Sequence, residues 1–159
     1  MTVPAPTLTA NIAFLFADRP FLDRIDAAAA AGFDKVECHF PYDHTIEELR
    51  ARLSKAGVQL TGLNTAPGDV AAGDWGLAGC VGREAEFHAG FDQALSYATA
   101  LGASVIHVMA GVVPLAQRAA GRTAYVANMR AAAKKAAGTG VTLVLEPLNV
   151  RDKPGYLVS

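Results

Sequence analysis

Four times along this chain a helical pattern runs into a glycine and a short apolar strand follows. The four junctions are Gly32-Phe-Asp-Lys-Val-Glu-Cys, Gly57-Val-Gln-Leu-Thr-Gly-Leu, Gly102-Ala-Ser-Val-Ile-His-Val and Gly140-Val-Thr-Leu-Val-Leu-Glu. Glycine after the last helical turn supplies the left-handed residue that closes a helix and redirects the chain. An earlier strand over about Thr9–Phe16 opens the series, so the pattern predicts five strands alternating with four helices. Strict alternation implies a parallel sheet with right-handed crossovers and helices packed on its faces.

The helices carry their own punctuation. Asp18 is the predicted cap of the first, with Pro20 in its opening turn and Phe21, Ile25, Ala28 and Ala29 on one face. Thr45 and Glu48 have capping-box spacing ahead of Ile46, Leu49, Leu53 and Ala56. The third helix, about Arg83–Leu101, aligns Phe87, Phe91, Ala94, Leu95 and Ala98; the fourth, about Arg122–Ala137, aligns Tyr125, Met129, Ala132 and Ala136. Such stripes are core faces covering a sheet.

Two architectures fit this order: an open doubly wound sheet, or a (β/α)8 barrel cut just past its fifth strand. Phe16-Ala-Asp-Arg-Pro follows the first strand where a dinucleotide-binding fold needs Gly-x-Gly-x-x-Gly, and no Gly-Lys-Ser/Thr phosphate loop exists. A full barrel takes about 250 residues, against 159 here. Length therefore favours an open sheet or a partial barrel, and motif content has to decide.

Polar side chains gather after each strand. The second, Lys35–Phe40, leads into Glu37-Cys-His39-Phe-Pro-Tyr-Asp-His44, and the fourth into His107-Val-Met-Ala-Gly. Between them lies a long connection, Asn64–Gly82, with five glycines around Asp69, Asp74 and Trp75. Loops of that length in a compact domain are often lids or binding loops. The fifth strand reads Gly140-Val-Thr-Leu-Val-Leu-Glu-Pro-Leu-Asn149: an apolar run, suited to burial on both faces, that ends in the carboxylate Glu146. Pro147 stops the strand's hydrogen bonding, which sets Glu146 at the C-terminal tip. In α/β barrels that end of the strands is where chemistry is done.

Asn64-Thr-Ala-Pro-Gly-Asp69, Gly73-Asp-Trp-Gly-Leu77, Gly82-Arg-Glu84, His107-Val-Met-Ala-Gly111 and Leu145-Glu-Pro-Leu-Asn149 together resemble the hydroxypyruvate isomerase family. That family includes the 2-oxo-tetronate isomerases and belongs to the xylose-isomerase-like TIM barrels. The resemblance runs from about Ala10 to Ser159. The long-loop pattern is its specific part; Glu-Pro-Leu-Asn is shared with related sugar epimerases. It implies a single partial barrel domain over residues 1–159, the N-terminal portion of a (β/α)8 fold. It also implies an aldose–ketose isomerase that interconverts hydroxypyruvate with 2-hydroxy-3-oxopropanoate, or acts on a 2-oxo-tetronate, through an enediolate. The family's centre uses two glutamates and often a divalent metal, magnesium or manganese. By position Glu146 resembles the first glutamate, as base and metal ligand; the second and the other ligands belong to strands six to eight.

The residues themselves leave alternatives open. Glu146 is either that base or a strand-end carboxylate paired with Arg151 or Lys153. His107 either meets a substrate oxygen or is a satisfied core histidine, and Glu37 either points inward or forms an ion pair. Asn64 and Trp75 are expected to line or cover the pocket. Arg151 is the candidate for an anionic substrate head group, with Lys153 beside it. His39 and His44 read as loop or surface groups, and His88 as part of a polar helix face.

Formal charge is −1, from 14 basic and 15 acidic residues without a block of either sign, which gives no footing for nucleic acid. No apolar stretch is long enough to span a bilayer, and Met-Thr-Val-Pro-Ala-Pro has neither the basic nor the long apolar region expected of an export signal. Cys38 and Cys80 are expected to stay unpaired in a cytoplasmic protein. Open edges at strands one and five predict association, with a second copy or with a partner supplying strands. Three competing functions remain: a non-catalytic barrel module, a ketose 3-epimerase and, least favoured, a phosphodiester-cleaving relative.

Overall fold

The computed structural model describes residues 7–159. The N-terminal hexapeptide, read above for the lack of an export signal, lies outside the described residues.

Five strands, β1 (Ala10–Asn11), β2 (Lys35–Glu37), β3 (Gln59–Asn64), β4 (Val105–His107) and β5 (Thr142–Val144), form one sheet in the order β1-β2-β3-β4-β5, all parallel. The helices α1 (Phe21–Ala30), α2 (Ile46–Ala56), α3 (Glu84–Leu101) and α4 (Arg118–Ala136) connect them. A doubly wound sheet reverses its strand order at a switch point. Here every strand lies beside its sequence neighbour, so the sheet winds one way, as an arc of a barrel. The helices pack in sequence along its outer face.

The core lies between these two layers. Val36 and Ile106 are fully buried on the helix-facing side, against residues such as Ile25, Phe91, Ala94 and Ala132. The predicted stripes hold for α2 and α3, and α4 adds Gly121 and Asn128 to its buried face. The Thr45 capping box is formed: the Thr45 hydroxyl accepts from the Glu48 amide at 3.2 Å, and the Glu48 carboxylate accepts from the Thr45 amide at 2.8 Å. Gly57 and Gly102 close α2 and α3 in the left-handed conformation, at φ 68° and 74°. Gly32 instead follows the cap residue Ala31, and Gly140 comes after a further turn beyond α4.

Several boundaries differ from the sequence expectation. The first strand stops at Asn11 rather than reaching Phe16, because the Asn11 side chain accepts from the Ala13 amide at 3.0 Å and its carbonyl from the Leu15 amide at 2.9 Å. That local turn takes the backbone out of the ladder. Asp18 does not cap α1; Pro20 occupies that position with φ −53°, preset for the first turn. Helix α4 begins four residues before Arg122, since a 3-10 turn over Leu115–Gln117 feeds straight into it. Strand β2 ends at Glu37 rather than Phe40. Strand β5 is not buried on both faces: its three residues are exposed or half-buried, and Leu145 just past it is 52% exposed.

Both cysteines are free, Cys38 buried and Cys80 half-buried. Burial pushes the Cys38 thiol up to about 12, with Glu37 adding to the shift, which makes it an inert core group.

Candidate active site

Side chains alternate across a strand, so the residues flanking the helix-facing Val36 and Ile106 face the other way. The register aligns them: Asn11 opposite Glu37, Asn64 opposite His107, His107 opposite Val144. Asn11, Glu37, Asn64 and His107 are each the last residue of their strand, and Glu146 follows β5 by two residues. Together they line a cavity of about 460 Å³ on the concave face at the C-terminal strand ends.

The carboxylates are held differently. Asn11 Nδ2 donates to Glu37 Oε1 at 2.9 Å, anchoring a half-buried acid. The Glu146 side chain is 63% exposed, and its Oε2 lies 3.7 Å from His107 Nδ1, within ion-pair reach but beyond a hydrogen bond. Arg151 and Lys153 form no ion pair with it among the described residues. His107 is buried, and its Nε2 has no hydrogen-bond partner among the described residues. Burial lowers its pKa, Glu146 partly opposes this, and His39 adds to the lowering. It is therefore neutral near pH 7, with one N–H to give.

The long connection is organised rather than loose. Asp69 caps a 3-10 turn at Val70–Ala72, and Arg83 ties Asp74 and Glu86 together with contacts of 2.7 Å. Gly76 lies so close to the β4 loop that a Cβ there would meet the Met109 carbonyl at 2.5 Å. Trp75, two residues past the turn's cap Gly73, is thereby held over the cavity, with Phe40 edge-on at 6.4 Å.

Of the residues singled out from sequence, Glu146, His107, Asn64, Trp75 and Glu37 meet in this one cavity. Arg151 does not line it; it is exposed, and its amide donates to Asn149 Oδ1 at 2.9 Å. Its neighbour Lys153 lines the wall instead, its ammonium 3.7 Å from the Trp75 ring centre. His39, read as a loop or surface group, is half-buried in the wall, edge-on to Phe14 at 5.0 Å. Burial lowers its pKa, while Glu146 and Glu37 pull the other way. His44 stacks on Phe21 away from the cavity, and His88 on α3 is half-buried, with a buried Nδ1 that has no partner among the described residues. Asn11 escaped sequence reasoning because the overlong first strand hid which residue ends it.

A magnesium or manganese ion finds no full ligand set: among the described residues no three His, Cys, Asp or Glu side chains converge. A hard cation takes about six oxygen or nitrogen donors, more than the described residues bring together.

The sequence matches the profile of the xylose isomerase-like TIM barrels over residues 25–159. The chain belongs to that family. It is 48% identical over 155 residues to the 2-oxo-tetronate isomerase of Cupriavidus necator, covering 97% of this chain and 60% of that protein. It is 39% identical over 149 residues to the hydroxypyruvate isomerase of Escherichia coli, covering 93% and 58% respectively. A crystal structure described as an AP endonuclease, family 2, from Brucella melitensis superposes with a TM-score of 0.93 at 40% identity, over 97% of this chain and 60% of that one. The D-psicose 3-epimerase of Clostridium cellulolyticum, at 21% identity and a TM-score of 0.67, shares the fold. The chain spans about three fifths of the length of the curated relatives it matches.

Proposed function

We propose that this cavity binds a small hydroxy-keto acid and isomerises it by enediolate proton transfer, with hydroxypyruvate as the test substrate. The carrying observation is the meeting of Glu146 with neutral His107 at 3.7 Å, at adjacent strand ends. Similarity to named isomerases of such acids supports it.

The chemistry uses those two groups. Glu146 takes a proton from the hydroxymethyl carbon, C3, and the C–H electrons flow into the C2 carbonyl. His107 donates its N–H to the oxygen on C2 as negative charge grows there; an imidazole kept neutral by burial serves better than a solvated cation. Return of the proton to C2 and loss of the hydroxyl proton from O3 gives the aldehyde. Net, one hydrogen moves from C3 to C2 and one proton from O3 to O2. Glu37, fixed by Asn11, accepts from a substrate hydroxyl.

The test is hydrogen–deuterium exchange at C3 of hydroxypyruvate in heavy water, followed by NMR. The wild-type chain washes out the C3 proton and Glu146→Gln does not; equal rates for the two overturn the assignment. A phosphodiester substrate is disfavoured by the three carboxylates on the wall, Glu37, Glu146 and Asp152, which repel a polyanion.

Among the described residues no helix is long and apolar enough to cross a membrane, and two free thiols suit a reducing cytoplasm. Among the described residues nothing pairs with the outer edges of β1 and β5, and Phe14 is 70% and Leu145 52% exposed nearby. We expect two copies to associate there, and a concentration-independent monomer in sedimentation contradicts this.

A further inference from the structure

We infer that Lys153 is the residue that selects acids over neutral ketoses, by meeting the substrate carboxylate from its seat on the Trp75 ring. This rests on the isomerase reading of the cavity and names the chemistry of one end of its substrate.

Lys153 is the one lysine or arginine among the described residues lining the cavity. The wall otherwise carries Glu37, Asp152 and Glu146, an environment that repels an anion unless a cation offsets it. Both wall histidines have pKa values lowered by burial, so neither supplies that charge near neutral pH. Lys153 makes no ion pair among the described residues, which leaves its three donors available to a ligand.

Its position is built from both sides. The Lys153 amide donates to the Asn149 carbonyl at 2.9 Å, and its carbonyl accepts from the Tyr156 amide at 3.2 Å. Tyr156 is 1% exposed, and its hydroxyl accepts from the Ala110 amide at 2.8 Å. Leu157 then donates to the Gly111 carbonyl at 2.9 Å. The tail is thus pinned to the β4 loop, the loop that also carries the close contact with Gly76. Trp75 and Lys153 therefore face each other from two anchored segments, and the ring holds the ammonium by its quadrupole. Arg151, two residues earlier on the same turn, lies outside the cavity.

The experiment measures dissociation constants of hydroxypyruvate and of its neutral counterpart dihydroxyacetone by NMR titration, for wild type, Lys153→Met, Lys153→Arg and Trp75→Leu. The wild type prefers the acid by tenfold or more. Lys153→Met weakens the acid by about 10- to 100-fold and leaves dihydroxyacetone within about threefold, erasing the preference. Lys153→Arg keeps most of it, and Trp75→Leu loses a smaller part. Unchanged acid binding in Lys153→Met overturns the inference while leaving C3 exchange by wild type intact. Parallel loss of both ligands marks Lys153 as structural and also overturns it. Acid binding that depends on Lys153 without any C3 exchange removes the isomerase reading and keeps the carboxylate site. Absence of acid binding by the wild type overturns both.

Discussion

The two carboxylates at the strand ends sit in unlike surroundings. Glu37 ends β2, a strand paired on both sides, and is half-buried and tethered by Asn11. Glu146 follows β5, which pairs with β4 among the described residues, and its side chain is 63% exposed with one histidine at 3.7 Å. A base needs reach to the substrate carbon, whereas a fixed acceptor needs rigidity. On the proposed isomerase reading, proton transfer belongs to Glu146 and orientation to the tethered Glu37.

Glu146→Gln should lower C3 exchange by about 10²- to 10⁴-fold, and Glu37→Gln by about tenfold, mainly in KM. The reverse order breaks the comparison. The same contrast extends to the hydrophobic layer. Ile106→Ala, on a strand flanked on both sides, should cost about 2–5 kcal/mol in urea unfolding, while Leu145→Ala, beside the open edge, should stay within about 0.5 kcal/mol. Equal losses mean that β5 is as well covered as β4. Asn11→Ala removes the tether and should cost about 1–3 kcal/mol of stability, with weaker substrate binding because Glu37 is freed; unchanged binding uncouples the two residues.

The smallest effect is the pH dependence of stability. His107 and His39 both have folded pKa values below their ordinary 6.5. The unfolded chain thus takes up protons first as pH falls. Their contribution is intact above pH 6.5 and is lost as pH drops from there toward the lowered folded values. His107→Asn should flatten this acid limb of the stability curve, and an unaltered limb shows that His107 does not titrate in that window.

Much of the site was legible because alternation along a strand is local. Glu37 beside Val36 and His107 beside Ile106 place one polar and one apolar side chain on opposite faces whatever the partners are. The capping box at Thr45 and Glu48 was legible for the same reason. Asn11 was not, since its own side-chain turn ended the strand early and apolar composition across residues 12–16 concealed this. The choice between Arg151 and Lys153 was also invisible: a turn after Asn149 decides which of them faces inward, and that turn is fixed by Tyr156 docking on Ala110, 46 residues away in sequence.

The chain by itself determined the alternation of strands and helices, the stripes that bind them into layers and the polar residues that close each strand, because these follow from backbone period and local capping. Only the tertiary structure decided that the strands wind in one direction, that His39 and Lys153 belong to the cavity, and that Glu146 stands in partial water. Those outcomes depend on which strands become neighbours and which edges stay open, and such long-range pairing is not written in any single segment.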